Sequence, residues 1–470
     1  MDYLLDKYVF NFFSLTLSEE TKKAITSKAV DVLQVADWTC KAQDVRKLFN
    51  NNPSLLLAEL VFFTLYILTL VHAARHGRRY LFTWFGVNFI ATAIEFLRFF
   101  NPAWDVVWHA QGILTFLGMR VPIFVNGVYQ FVFYVSYVFA KSLIVFLTWF
   151  VYTSAAALIS VILIFPVTLL GTKLLWFQWH NDDIAIFNCR WLFVPWTSLL
   201  FISCVSCCFM LLLHTLRKYL VPERYDWKLF VREYFCSCCA GIGAVLLTTW
   251  LTEFLVHTFR GIWNINMGIP TFAILGLFAL LFFSNDRHNS KREHFLVEAQ
   301  YWFDELSCAI CIHFLLFMIL PLIVDPGDIV AEGLHQPIGL CNVTESYSTA
   351  FGTVTKRKKY FCPYEGKNLN TFDFHCLPNR LPPQLEEADF IEWYPICGKE
   401  YDNRWEYVLL TWSFSLLSIA LLYQIGVKSG TTPVDLVKVC SVVEKICNFT
   451  FVFFSCNIYN DDSYSSIRRA

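Results

Sequence analysis

Residues 121–170 read VPIFVNGVYQ FVFYVSYVFA KSLIVFLTWF VYTSAAALIS VILIFPVTLL. The stretch of 50 residues contains one charge, Lys141. A bilayer-spanning helix needs about 20 mostly apolar residues. The run is too long for one helix, so two helices with a tight turn at Lys141 are expected. Working outward, similar runs lie at Ser54–Ala73, Leu81–Phe100, Val121–Ala140, Ser142–Leu170, Trp191–Leu213, Cys236–His257, Gly268–Phe283, Leu306–Ile323 and Tyr407–Ile425. The expected fold class is therefore an all-α polytopic membrane protein of about nine transmembrane helices. Gly268–Phe283 is short enough to be re-entrant. Composition agrees, with 56% hydrophobic and only 16% charged residues, against about a quarter charged in soluble chains. The net charge of −1 says nothing about nucleic acid, but no Lys/Arg tract of the sort that tracks phosphates occurs, so no nucleic-acid partner is expected. The chain divides into an N-terminal amphipathic segment at 1–53, a bundle of about eight helices at 54–325, a Cys-rich loop domain at 326–405, a last helix at 406–426 and a tail at 427–470. The start lacks a basic segment followed by an apolar core. The first spanning helix is thus expected to serve as its own insertion signal.

Orientation follows from Lys and Arg in short loops. Loops 74–80, 214–235 and 284–304 are all basic, so all three should be cytosolic. Even numbers of helices separate them, as a consistent topology requires. The N-terminus and the long polar loop then lie on the lumenal or extracellular side, and the C-terminus in the cytosol. The protein would sit in the endoplasmic reticulum or plasma membrane. Under this topology Cys40, Cys189, Cys341, Cys362, Cys376 and Cys397 all face an oxidising compartment, where disulfides persist. The four in the long loop should pair among themselves, in any of three connectivities, leaving Cys40 with Cys189. Asn342-Val343-Thr344 is a lumenal glycosylation sequon, whereas Asn448-Phe449-Thr450 falls on the cytosolic side. Cys236, Cys238 and Cys239 begin a helix beside a basic loop, a setting for S-palmitoylation. In the tail, Ile446–Cys456 is apolar but too short to span, and is expected at the membrane surface or against a partner.

No P-loop, nucleophile elbow or HExxH motif occurs. No catalytic residue and no metal ligand set is expected. Ionisable groups inside spanning helices are costly and default to a functional hypothesis. Glu95, Arg98, Asp105, His109 and Arg120 form the densest polar group between two apolar runs. They could build a pocket for a lipid headgroup or small metabolite, or an interfacial hairpin with internal ion pairs. Glu253 and His257, four residues apart, share a helix face and should point into the bundle. His72 and His76 have the same spacing but lack the HxxHH companion of membrane di-iron enzymes.

The stretch His72–Tyr134, with its HAARHG, IEFLRFF, WHAQG and RVPIF segments, resembles an uncharacterised eukaryotic multi-pass membrane protein family. The resemblance implies no activity. Without catalytic motifs, and with a disulfide-held lumenal module, the leading expectation is a non-enzymatic subunit of a larger membrane assembly that handles lipid. Its partners would be other membrane protein subunits and membrane lipids, with a bound phospholipid or sterol and no other cofactor. The alternatives are a transporter or lipid-modifying enzyme using the intramembrane Glu, His and Arg residues, and a receptor binding through the lumenal loop.

Overall fold

The structure is a computed structural model. It describes residues 28–428 apart from 29–30, 33, 78, 143–148, 181–189, 223–224, 290–303, 334–335, 349–350, 353, 363–370, 379 and 384–389. Most of the N-terminal segment, Cys189, Asn448 and Ile446–Cys456 lie outside the described residues.

The described helices are α1 (Val45–Asn51), α2 (Pro53–His76), α3 (Arg79–Phe100), α4 (Ile123–Ser142), α5 (Trp149–Lys173), α6 (Trp196–Leu220), α7 (Phe230–Leu255), α8 (Gly268–Asn289), α9 (Glu305–Ile323) and α10 (Arg404–Lys428). Among the described residues, eight helical segments are long and apolar enough to cross a membrane, and the apolar part of α8, Gly268–Phe283, is shorter. Local chemistry sets the helix ends. Pro53 opens α2 while the Asn52 side chain accepts from Leu55 N at 3.0 Å. Gly77, at φ 54°, follows its last turn. Pro122 and Pro195 move two starts later than the apolar runs suggest. Val121–Pro122 is strand β4, and β6 (Arg190–Trp191) pairs with β7 (Val194–Pro195) as a small hairpin ahead of α6. The Lys141 break holds, with one helix ending at Ser142 and the next starting at Trp149.

The connections gather at two ends. One end holds the strands: β1 (Cys40–Ala42) pairs with β3 (Leu114–Phe116), and β2 (Val107–His109) pairs with β5 (Phe177–Trp179). The segment after α9 packs onto these strands. Gln111 N donates to Glu332 O at 3.1 Å, and Trp108, fully buried, meets Phe361 and Phe372 edge-to-face. The described residues between 326 and 405 are therefore docked on the bundle rather than hung from it. Two disulfides, Cys341–Cys362 and Cys376–Cys397, staple this segment. After the short strands β8 (Val330–Ala331) and β9 (Ile338–Gly339), the first disulfide closes the base of the hairpin β10 (Thr344–Ser348) to β11 (Val354–Lys358). The opposite end holds the connections after α2, after α6 and before α9, joined by Arg75–Glu305 and by Arg79 Nη2 to Pro222 O. These are the two sets of loops that Lys/Arg counting separates.

Helices α3 and α7 cross closely. A Cβ on Gly86 would stand 2.6 Å from the Ser237 carbonyl oxygen, and one on Gly241 would collide with the Gly86 carbonyl oxygen. Small residues at such a crossing let backbones approach. Their neighbour is a buried ionic network. Arg217 of α6 donates to Glu233 at 3.1 Å, to the Tyr137 hydroxyl at 3.2 Å, to Thr83 Oγ1 at 3.1 Å and to Ser237 Oγ at 3.3 Å. Arg79 Nε adds a second donor to Glu233 at 2.6 Å. Four helices are thereby tied at one point.

Candidate functional site

At the strand-bearing end, α3 to α7 enclose a cavity of about 380 Å³. Its deep wall is apolar, with Leu97, Val125, Val128, Ile164, Phe201 and Ile202. Strand β2 and the hairpin β10–β11 close it toward the disulfide-bonded cap, through Val107, His109, Tyr347 and Arg357.

Two polar groups far apart in sequence meet there. Arg98, in the last turn of α3, donates to Glu95 at 2.9 Å and faces the Tyr129 hydroxyl. His109 Nε2 stands 4.0 Å from Glu95. On the other side, Glu253 accepts from Trp104 Nε1 at 2.8 Å. His257 lines the cavity and stacks on Phe351, at the hairpin tip, with ring centroids 5.9 Å apart. Glu253, in the last turn of α7, and His257 both line the cavity.

Beyond Leu255 the helix widens into a π segment, Val256–Ile262, before Asn264 turns the chain at φ 51°. Such segments are rare and concentrate at functional sites. This one brings His257, Arg260 and Gly261 to the cavity wall. Arg357 reaches in from β11. Its Nε donates to the Tyr347 hydroxyl at 2.7 Å, its Nη1 donates to the Asp105 carbonyl at 3.1 Å, and its guanidinium covers the Tyr347 ring at 4.5 Å. Burial, aided by the hydrogen bond to Glu345, pushes the Tyr347 hydroxyl up to about 12, so it stays neutral and bridges Arg357 to Glu345.

Several expected site residues sit elsewhere. Arg120 is not on the cavity wall; it pairs with Glu392 at 3.5 Å and lies over the Phe99 ring. Strand β4 turns it outward although it follows His109 closely in sequence. Asp105 contributes its carbonyl to Arg357 and faces Arg98, but does not line the cavity. Cys236 and Cys238 are buried and Cys239 is half-buried, because α7 begins six residues earlier, at Phe230, and carries them into the crossing with α3. This corrects the picture of Cys236 and Cys238 as thiols presented for acylation. Of the three possible connectivities in the long loop, the sequential one occurs. Cys40 is an exposed free thiol. Asn342 is exposed on a turn beside Cys341. Asp373, His375 and Cys397 approach within 4.8 Å, as metal ligands would, but the Cys397 sulfur is committed to its disulfide. His72 and His76 stack at the opposite end, with His72 Nδ1 2.9 Å from the Tyr134 hydroxyl. His313 is a core residue whose Nε2 reaches the Leu163 carbonyl at 3.0 Å, in the turn before Pro166. Arg260, Tyr347 and Arg357 were not expected at a site from sequence, and Trp104 stood out only as a tryptophan suited to a membrane interface. Arg260 lies three residues past the expected end of a helix at His257, and Arg357 lies in the basic run Lys356–Lys359.

A family model described as "Domain of unknown function (DUF7802)" matches residues 1–427. The chain belongs to this family. The match takes in every segment that lines the cavity, and a family without assigned activity is what the His72–Tyr134 resemblance implied. No curated protein and no solved structure matches the chain.

Proposed function

We propose that the protein is an integral membrane protein that holds one amphipathic lipid at the lumenal end of its bundle, as a lipid-handling, non-enzymatic component of a membrane assembly. The cavity carries this reading: its deep wall is apolar, and its ionisable groups gather toward the cap. An amphiphile needs that division. A volume of about 380 Å³ lies within the roughly 300–1,000 Å³ typical of small-molecule sites. The membrane setting is supported by the outer face of α2, where Leu57, Leu60, Phe63, Ile67 and Val71 form an exposed apolar stripe at helical spacing. Charge bias in the short loops favours a lumenal cap and a cytosolic basic end. A transporter is the second reading. The π segment beside Glu253 and His257 favours it, since transporters place substrate at interrupted helices.

The test is native mass spectrometry of the full chain purified in mild detergent. One lipid adduct per chain is expected, with occupancy cut in Val128→Trp, which fills the cavity, and thermal unfolding confirming that the variant is folded. A bare mass for the native chain, or an adduct unaffected in a folded Val128→Trp, would remove the lipid reading. A stoichiometric protein partner in the same spectrum bears on the subunit reading; a chain flying alone with lipid keeps the first claim and removes the second.

A further inference from the structure

We propose that the cap side of the cavity is an anionic-headgroup site, in which Arg260 and Arg357 take a carboxylate or phosphate whose acyl chain lies against the apolar wall. The proposal rests on the lipid reading above and names the class of lipid. Three arginines line the cavity: Arg98, Arg260 and Arg357. They are not equivalent. Arg98 has its counter-charge, with Glu95 at 2.9 Å and Asp105 facing it. Glu253, the carboxylate on the lining itself, already accepts from Trp104.

Arg260 and Arg357 have no carboxylate within ion-pair distance among the described residues, although both are half-buried. Arg260 also has no hydrogen-bond partner among the described residues, so no described contact uses its charge. Arg357 is held in place by Tyr347 and the Asp105 carbonyl. Those contacts use two of the five N–H donors of a guanidinium and neutralise none of its charge. Partly buried cations without counter-ions cost stability. The cost is offset when an anion arrives, and a guanidinium fork binds carboxylate or phosphate oxygens in pairs. The two arginines come from different elements, one from the π segment and one from the stapled hairpin, and converge on one cavity. Neither a sterol hydroxyl nor a choline ammonium meets that demand; the ammonium would add a third cation.

The experiment exchanges the purified full-length protein against phosphatidylcholine vesicles doped with phosphatidic acid, oleic acid or cholesterol, and reads retained lipid by native mass spectrometry. Preferential retention of phosphatidic acid assigns a phosphate, and of oleate a carboxylate. In Arg260→Gln the preference over phosphatidylcholine should fall about tenfold, the size of one charge-assisted hydrogen bond. Arg260→Gln should melt no lower than the native protein, because no described contact holds Arg260 and an unpaired, partly buried charge is removed. Arg260→Lys should keep part of the preference, since charge remains and the fork is lost. Equal retention of phosphatidylcholine or cholesterol by the native protein would overturn the headgroup proposal, as would an undiminished anionic preference in Arg260→Gln. Retention of no lipid at all would remove both this proposal and the lipid reading beneath it.

Discussion

The two ends of the bundle use the same residue types for different work. At the basic end, Arg217 and Arg79 converge on Glu233, which is 1% exposed, and the Tyr137, Thr83 and Ser237 hydroxyls absorb further donors of Arg217. Four helices meet there with no room to spare. At the cap end, Arg98 is paired, but Arg260 and Arg357 stand at a cavity of about 380 Å³ without a counter-charge among the described residues. Ionisable groups in apolar helices are costly wherever they sit. What separates a packing device from a binding site is whether donors and charge are used up by the protein itself. By that criterion the basic end is closed and the cap end is open.

The sharpest way to break the comparison is Glu233→Ala. It leaves two arginines facing each other in a buried site. The expected loss is about 3–5 kcal/mol of stability, the usual cost of removing one partner from a buried ion pair, read by thermal unfolding in detergent. Lipid occupancy of the molecules that remain folded should be unchanged. A loss under about 1 kcal/mol, a value typical of exposed pairs, would show that the network is solvated rather than structural.

The next effect belongs to the cap. Removing Cys341–Cys362 by Cys341→Ser with Cys362→Ser opens a loop whose ends are 21 residues apart. Chain-entropy estimates put this at about 3 kcal/mol. The hairpin that carries Tyr347 and Arg357 to the cavity is then freed at its base, so lipid occupancy should fall with stability. A variant that keeps full occupancy would mean that the hairpin does not hold the site closed.

The smallest effect is expected from Asn342→Gln, a change at an exposed turn. Stability should move by less than about 0.5 kcal/mol. The native chain should shift on endoglycosidase treatment and the variant should not. An unshifted native band would remove the glycan and weaken the placement of the cap in the lumen.

Much of this was legible in sequence, and the exceptions have physical causes. Apolar runs longer than a bilayer is thick reveal helices whatever surrounds them, and Pro53 and Lys141 mark boundaries by local chemistry alone. Lys and Arg sort the loops because each loop must lie at one end or the other. Glu95, Arg98 and His109 stood out as polar groups at a helix end. That Arg98 and His109 share one cavity with Glu253 and His257, with Glu95 behind them paired to Arg98, could not be read, because only the crossing of α3 with α7, through Gly86 and Gly241, brings them together. Arg120 was grouped with them by proximity in the chain, yet one strand pairing turned it to Glu392. The buried Cys236 and Cys238 show the converse error: a helix start misplaced by six residues converts an interior position into an apparent edge. Arg260 was hidden by the π segment, since a hydrophobic run ends at the first charge whether or not the helix does.

The central claim, that the lipid lies inside the bundle at the cap end, is tested most directly by photo-crosslinking. The full-length protein is loaded with a phospholipid carrying a diazirine at the acyl terminus, irradiated, and mapped by peptide mass spectrometry. Adducts are expected on the cavity wall, at Val125, Val128, Ile164 or Phe201. Adducts confined to outward positions such as Phe63, Ile67 and Leu280, with the cavity wall unlabelled, would contradict it.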